Sequence, residues 1–69
     1  MDELSNSIAL LRAGRQISQT ELAEAIGVSR KTISTVETGR FTPSVVIALK
    51  LAHFFEVPVE QIFSLKAAE

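Results

Sequence analysis

The sequence predicts an all-α fold of five short helices, two of them joined as a helix-turn-helix. Two observations predict this class. Apolar residues recur at helical spacing, beginning with Leu4, Ile8 and Leu11. Serines that can cap the first backbone amides of a helix stand before three of the later segments, at Ser18, Ser29 and Ser44. A chain of 69 residues is expected to form one domain, residues 1–69.

The second helix is predicted to begin after Ser18, which stands three residues before Glu21. This spacing is that of a capping box, in which the hydroxyl and the carboxylate satisfy backbone donors that a helix start leaves unpaired. Ile17 precedes the cap and can pack on Leu22, which is the arrangement of a hydrophobic staple. The same pattern recurs around Ser29, so a third helix is predicted to begin there.

Gly27 separates these two helices and can adopt the left-handed conformation that closes a helix without steric cost. The connection is only about three residues long, which favours the steep crossing of a helix-turn-helix over antiparallel packing. The motif is expected to cover residues 18–38, with Gly39 ending the third helix.

One side of the third helix is predicted to face solvent. Ile33 and Val36 fall on the opposite side, and at about 100° per residue the polar residues spread over roughly 140°: Arg30, Lys31, Ser34, Thr35 and Thr38. Cations and small hydroxyls on one helix face can enter a DNA major groove and read base edges. The alternative is an ordinary solvated face, but the capped helix and the glycine turn before it favour DNA.

The remaining helices are placed by the same signals. Helix one is predicted from Leu4 to Ala13, with Gly14 ending it. Helix four is predicted from Val45 to Phe55 and helix five from about Val59 to Ser64. Helix four is apolar nearly all round, so it is expected to be buried on most sides at the centre of the fold, with some surface covered by a partner.

Net charge weakens the case for nucleic acid, because the chain carries −1 at pH 7. The distribution of charged residues along the chain weakens this objection. Residues 12–40 hold five cations against three anions, whereas the remainder holds two cations against five anions. Despite the net charge of −1, a local positive field can steer the protein toward phosphate groups. In the loop GRFTPS after helix three, Arg40 and backbone amides are candidate phosphate contacts, the alternative being an ordinary connector.

Composition excludes several classes of protein. With no cysteine and a single histidine, His53, the chain has no set of residues for a thiolate zinc site or for nucleophilic catalysis, so no metal, cofactor or enzyme activity is expected. His53 is predicted to be a surface or half-buried residue. The acidic N-terminus differs from a secretory signal, and no apolar run is long enough to cross a membrane, which favours a soluble protein of the cytoplasm.

A dense apolar group lies near the C-terminal end of the sequence. Part of it is expected to complete the monomer core and part to form a two-fold contact: Val57, Val59, Ile62, Phe63 and Leu65. Burial in a dimer would also help a domain of this size, which hides only about 60% of the surface of its unfolded chain.

With these elements placed, the sequence resembles the Xre family of bacterial and phage regulators, which have the lambda and 434 repressor-like fold. The resemblance runs from about Ile8 to Leu65, through ISQTELAEAIGVSRKTISTVETGRFTPS, ALKLAHFFEV and VEQIF. It implies a short, single-domain member of the family. The resemblance implies a member without an appended ligand-binding domain, so no small-molecule effector is expected.

The resemblance implies roles for individual residues. It assigns base-edge contacts to Arg30, Lys31 and Thr35, with Ser29 and Ser34 next to them. It assigns phosphate contacts to Gln19, which also braces the recognition helix, and to Thr38 and Arg40. Thr38 departs from the family pattern, which commonly has asparagine at that position.

The resemblance also implies an ion pair between Arg12 of helix one and Glu37 of helix three. A physical argument agrees with it. Glu37 falls in the last turn of its helix, where the dipole disfavours a negative charge, so a nearby cation would offset that cost. The alternative is two unrelated surface charges.

These observations predict a sequence-specific DNA-binding regulator that acts as a homodimer on a pseudo-palindromic operator. Repression by blocking a promoter is the expected mode, and nothing in the residues excludes activation. An alternative from another class is an antitoxin-like protein that binds a partner protein through its apolar C-terminus and touches DNA secondarily.

Overall fold

The computed structural model describes residues 2–67, which form five helices and two short strands in a fixed order. The elements are β1 (Asp2–Asn6), α1 (Ile8–Arg15), α2 (Gln19–Ile26), α3 (Arg30–Glu37), α4 (Val45–Phe55), α5 (Val59–Ile62) and β2 (Phe63–Ala67). The prediction of five helices and of the α4 bounds is confirmed. The all-α prediction is correct only roughly, because the strands were not predicted.

The two strands pair antiparallel and bring the two ends of the described chain together. Leu4 lies opposite Leu65, and Asn6 lies opposite Phe63. The prediction that helix one begins at Leu4 is therefore wrong, as is the extension of helix five to Ser64. The physical reason is that each strand finds its backbone hydrogen bonds on the other, and this partner cannot be seen in the local spacing of apolar residues.

The sheet is tied to the helices through Asn6 and the residue after it. The side-chain amide of Asn6 donates to the carbonyls of Val36 at 3.1 Å and of Glu37 at 3.4 Å, in the last turn of α3. Its side-chain oxygen accepts from the backbone amide of Ile8 at 3.1 Å. The Ser7 amide donates to the Ile62 carbonyl at 2.8 Å. Asn6 thus supplies donors to carbonyls in the last turn of α3, where a helix has no further amides of its own to offer. The Val36 carbonyl also accepts from the Gly39 amide at 3.1 Å.

The predicted caps of α2 and α3 are present. Ser18 and Glu21 form the complete capping box, with the Ser18 hydroxyl accepting at 3.0 Å and the Glu21 carboxylate accepting at 2.9 Å. Gly27 ends α2 at φ 76°, in the left-handed region. The Ser29 hydroxyl accepts from the Thr32 amide at 3.1 Å. The starts of the two helices and the turn between them are therefore fixed by the residues that the sequence indicated.

The end of α1 differs from the prediction. The helix continues past Gly14 to Arg15, and Gln16 takes the left-handed conformation at φ 57°. Gly14 did not end the helix because the closing bonds lie two residues later, where the amides of Gln16 and Ile17 each donate at 3.2 Å to carbonyls of α1. Glu56 ends α4 in the same way at φ 58°.

The core lies between the helices and takes residues from each of them: Ile8, Leu22, Ala23, Ile26, Ile33, Val36, Leu51, Ala52, Phe55 and Ile62. The buried residues of α4 all lie in its C-terminal half, and Ile47 of the first half packs against the core while half-buried. Val45 is 74% exposed, Val46 61% and Leu49 46%, so the expectation that α4 is buried on most sides is wrong for its first half. His53 is exposed on α4.

Within residues 2–67 no helix is both long enough and apolar enough to cross a membrane.

Candidate nucleic-acid interface

The third helix turns one face to the core and the other to solvent. Ile33 is fully buried and Val36 is 2% exposed, and these two side chains fix the rotation of α3 about its axis. Arg30 and Lys31 are exposed, and Thr35 is half-buried. The polar face predicted from the sequence is therefore accessible along the length of the helix, with its two cations at the N-terminal end.

A hydrogen-bonded network connects α1, α2 and α3 beneath one edge of this face. Arg12 donates through Nε to Glu37 Oε2 at 2.6 Å and through Nη2 to Oε1 at 3.2 Å, which is the ion pair that the resemblance implied. Gln19 donates through Nε2 to Glu37 Oε1 at 3.1 Å. Arg30 in turn donates through Nη1 to Gln19 Oε1 at 3.3 Å. This series of hydrogen bonds ends at Arg30, one of the two cations of the exposed face.

The electrostatics of this network favour the charged state of Arg12. The Glu37 side chain is only 8% exposed and sits in the last turn of α3, where the helix dipole opposes its charge. Its hydrogen bond with Arg12 raises the pKa of the Arg12 guanidinium above the ordinary value; burial lowers that pKa, and the charge of Glu37 raises it further. Arg12 is therefore a permanent positive charge that compensates Glu37.

The hydroxyls of Thr35, in α3, and of Thr38, directly after it, are engaged with the backbone. Thr35 donates through Oγ1 to the carbonyls of Lys31 at 2.9 Å and Thr32 at 3.1 Å. Thr38 donates in the same way to carbonyls one turn earlier, at 3.0 and 3.3 Å. A hydroxyl has one hydrogen to donate and two lone pairs. These side chains consequently present a methyl group and an acceptor to a ligand, rather than a donor.

This geometry bears on the phosphate contacts predicted for Thr38 and for the loop after α3. Thr38 would have to break its bonds to the helix before donating to a phosphate. The amides of Arg40 and Phe41 both donate to the Thr35 carbonyl, at 3.0 and 3.2 Å, so these backbone groups are not available to an anion. The Arg40 side chain is exposed.

Phe41 is a candidate that the sequence analysis missed. Its side chain is 49% exposed, and it borders a shallow depression of about 300 Å³ beside α3. The other residues around this depression are Ser29, Lys31, Thr32 and Thr35. The available signal was an aromatic residue in an otherwise polar loop, directly after the helix that carries the polar face.

The apolar group predicted at the C-terminal end divides in two. Val57, Val59 and Phe63 are half-buried against the core, and Leu65 is 71% exposed. Ile62 is only 1% exposed. Its placement at a dimer surface is therefore wrong, because the side chain is part of the buried monomer core.

Comparisons with known proteins match this geometry. A family model described as helix-turn-helix matches residues 8–62. The uncharacterised HTH-type transcriptional regulator MJ0272 of Methanocaldococcus jannaschii is 42% identical over 60 residues, which cover 87% of this chain and 91% of that protein. The cryptic phage CTXphi transcriptional repressor RstR of Vibrio cholerae is 37% identical over 60 residues, covering 87% of this chain and 54% of RstR.

A solved structure shares the fold. The crystal structure of a candidate DNA-binding protein from Bacteroides fragilis superposes with a TM-score of 0.78 at 30% identity, covering 88% of this chain and 98% of that one. Because the family model spans most of the residues and MJ0272 matches along nearly its whole length, this chain belongs to the helix-turn-helix family of DNA-binding transcriptional regulators, in its Xre-like group.

Proposed function

We propose that this protein is a sequence-specific regulator that binds a pseudo-palindromic operator as a homodimer in the cytoplasm and represses transcription by blocking a promoter. The observation that carries the proposal is the exposed polar face of α3, whose cation Arg30 is held by Gln19 beside the half-buried Arg12–Glu37 pair. The name of RstR, a phage transcriptional repressor, supports repression.

Base contacts are proposed for the residues of α3 that face solvent. Arg30 and Lys31 can donate to guanine O6 and N7 in a major groove. Thr35 can accept from an amino group or contact a methyl group, because its hydroxyl hydrogen is engaged with the backbone. Ser29 and Ser34 flank these three positions and are proposed as secondary contacts.

Phosphate contacts are proposed for Gln19, Arg40 and Thr38. The amide nitrogen of Gln19 carries two hydrogens, and one of them goes to Glu37. The second can reach a phosphate while the side-chain oxygen still accepts from Arg30. Arg40 is exposed, whereas Thr38 would have to give up its bonds to the helix, so Arg40 and Gln19 are the stronger contacts of the three.

The test is a selection of preferred sites from random oligonucleotides, followed by binding measurements on the selected site and on random DNA. Arg30→Ala and Lys31→Ala should each weaken the selected site by about 1–3 kcal/mol, a loss of roughly five- to 150-fold, and weaken random DNA much less. Lys50→Ala, which removes an exposed cation from α4, is the control and should change neither affinity appreciably. Equal losses on both DNAs would reduce Arg30 and Lys31 to phosphate contacts.

A homodimer on DNA would place its two α3 helices in successive major grooves, about 34–36 Å apart. The proposed two-fold contact uses Leu65 together with the half-buried Val57, Val59 and Phe63. In sedimentation experiments Leu65→Glu should convert the dimer into a monomer, with Val46→Glu on α4 as the matched variant. If only Val46→Glu dissociates the dimer, the two-fold contact lies on the exposed face of α4 instead.

A second candidate function is an antitoxin-like protein that binds a partner protein and touches DNA secondarily. The exposed apolar side chains of α4 favour it, because apolar residues grouped on a small surface mark sites of protein contact. Size-exclusion chromatography of the pure chain separates the two candidates. A stable dimer would favour the homodimeric regulator, and a monomer would favour the antitoxin-like protein.

A further inference from the structure

We propose that the depression beside α3 receives the 5-methyl group of a pyrimidine, thymine in unmodified DNA, and that Phe41 is a residue that determines specificity. The inference rests on the proposed function, because it requires α3 to lie in a major groove. It adds to that function a class of base and a side chain that lies outside the recognition helix.

The position of Phe41 is fixed by the helix that it borders. Its backbone amide donates to the Thr35 carbonyl at 3.2 Å, which ties the residue to the last two turns of α3. The side chain stays 49% exposed, although large apolar side chains normally gain by burial. It shares the depression of about 300 Å³ with Lys31 and Thr35, two of the residues proposed to face base edges.

The lining of this depression is poor in hydrogen-bond donors. The Thr35 hydroxyl donates to two carbonyls of its own helix. The hydroxyls of Ser29 and Thr32 pair with each other at 2.9 Å, and the Ser29 oxygen also accepts from the Thr32 amide. What remains for a ligand is mainly apolar, with hydroxyl oxygens that can accept but are largely committed as donors. The apolar part comes from two threonines, the aliphatic stem of Lys31 and the phenyl ring of Phe41.

An apolar surface beside a base-reading helix selects one feature of the major groove. Thymine presents a C5-methyl group there, whereas the other edges present acceptors or amino groups that need a polar partner. Threonine methyl groups and phenylalanine are among the side chains that contact this methyl group in protein–DNA complexes. The charged end of Lys31 can remain in water or on a neighbouring base while its stem lines the depression.

The experiment uses the operator obtained by selection with the wild-type protein. Each thymine is replaced singly by deoxyuridine, which removes only the methyl group. One thymine in each half-site should respond, with an affinity loss of about fourfold, the factor expected for burying about one methyl-sized group. In Phe41→Ala the thymine and deoxyuridine operators should bind with equal affinity.

Two further variants control this result. Phe41→Leu keeps an apolar wall and should keep most of the discrimination. Val46→Ala shortens an exposed apolar residue of α4 and should leave the discrimination unchanged. Circular dichroism melts establish that each variant is folded. Cytosine and 5-methylcytosine at the same position present the same methyl group from another base; a gain from methylation that wild type shows and Phe41→Ala lacks supports the proposal.

The outcomes separate this inference from the function on which it rests. If selection yields no preferred sequence, the proposed function fails and this inference fails with it. If selection yields a site that depends on Arg30 and Lys31, but Phe41→Ala still distinguishes thymine from deoxyuridine, then only the assignment of Phe41 is overturned. The same holds if no single deoxyuridine replacement weakens wild-type binding.

Discussion

The two ends of the recognition helix are supported in different ways. At its start, Ser29 accepts from the amide of Thr32, three residues away in the same helix. At its end, Glu37 is held by Arg12, 25 residues earlier, and the last carbonyls accept from Asn6, about 30 residues earlier. The start of α3 is thus determined locally, whereas its end depends on α1 and on the terminal sheet. Distant substitutions should therefore loosen the end before the start.

The largest effect on the free energy of unfolding is expected from removing Glu37, through which the distant Arg12 supports the end of α3. Glu37→Ala leaves the Arg12 guanidinium poorly compensated in a largely buried position and should lower the free energy of unfolding by about 3–5 kcal/mol. Urea denaturation measures this change. Glu24→Ala removes an exposed carboxylate from α2 and should cost no more than about 0.5 kcal/mol.

The pH dependence of this pair follows from the raised pKa of Arg12. A raised folded-state pKa gives stability that is complete below the unfolded value and is lost only as the pH rises through the folded value. The contribution of Arg12 should therefore stay constant through neutral and mildly alkaline pH.

The outcome that would contradict the mutation test is a cost of Glu37→Ala equal to that of Glu24→Ala. It would show that the end of α3 does not need its distant partner.

An intermediate effect is expected at Asn6. Asn6→Ala removes two donors to the last turn of α3 and one acceptor for the Ile8 amide, and should cost about 1–3 kcal/mol. Ser5→Ala, next to it in the same strand, removes an exposed hydroxyl pair with Ser64 and should cost less than about 0.5 kcal/mol. Hydrogen exchange should show faster exchange at the end of α3 in Asn6→Ala, with the start unchanged. Uniform acceleration along α3 would contradict independent support of its two ends.

The smallest effect on the free energy of unfolding is expected at Ser29, which supports the start of α3 from within the helix. Ser29→Ala removes the cap of α3 and should lower the free energy of unfolding by about 1 kcal/mol, because one amide loses its acceptor. Ser29→Asp keeps an acceptor at the cap and should restore most of this stability. Ser34→Ala, a serine without a capping role in the middle of the helix, is the control for thermal melts. If Ser34→Ala lowers the stability as much as Ser29→Ala does, the effect of Ser29→Ala is not due to loss of the helix cap.

The same difference explains which parts of the fold could be predicted from the sequence. Ser18, Gly27 and Ser29 act on backbone groups within a few residues, so their spacing was sufficient to place α2, the turn and α3. The Arg12–Glu37 pair joins two elements, and it was expected from the resemblance with support from the position of Glu37 in its helix. The local rules alone did not specify Arg12 as the partner.

The terminal sheet could not be predicted by this reasoning. Leu4 and Ile8 have helical spacing, yet Leu4 belongs to a strand because Leu65 lies opposite it, 61 residues later. The interaction that decides the structure is a pairing between distant segments, which no local pattern contains. Phe41 was missed for a related reason, because its importance depends on the folding of the loop back onto α3.

The pairing of β1 with β2 has a consequence for how the chain could be rewired. Asp2 and Ala67 are opposite each other in the sheet, so a short linker could join them and close the backbone into a ring. New ends could then be opened in the loop at residues 39–44, as in a circular permutation. The order in which the helices are synthesised is therefore separable from the order in which they pack.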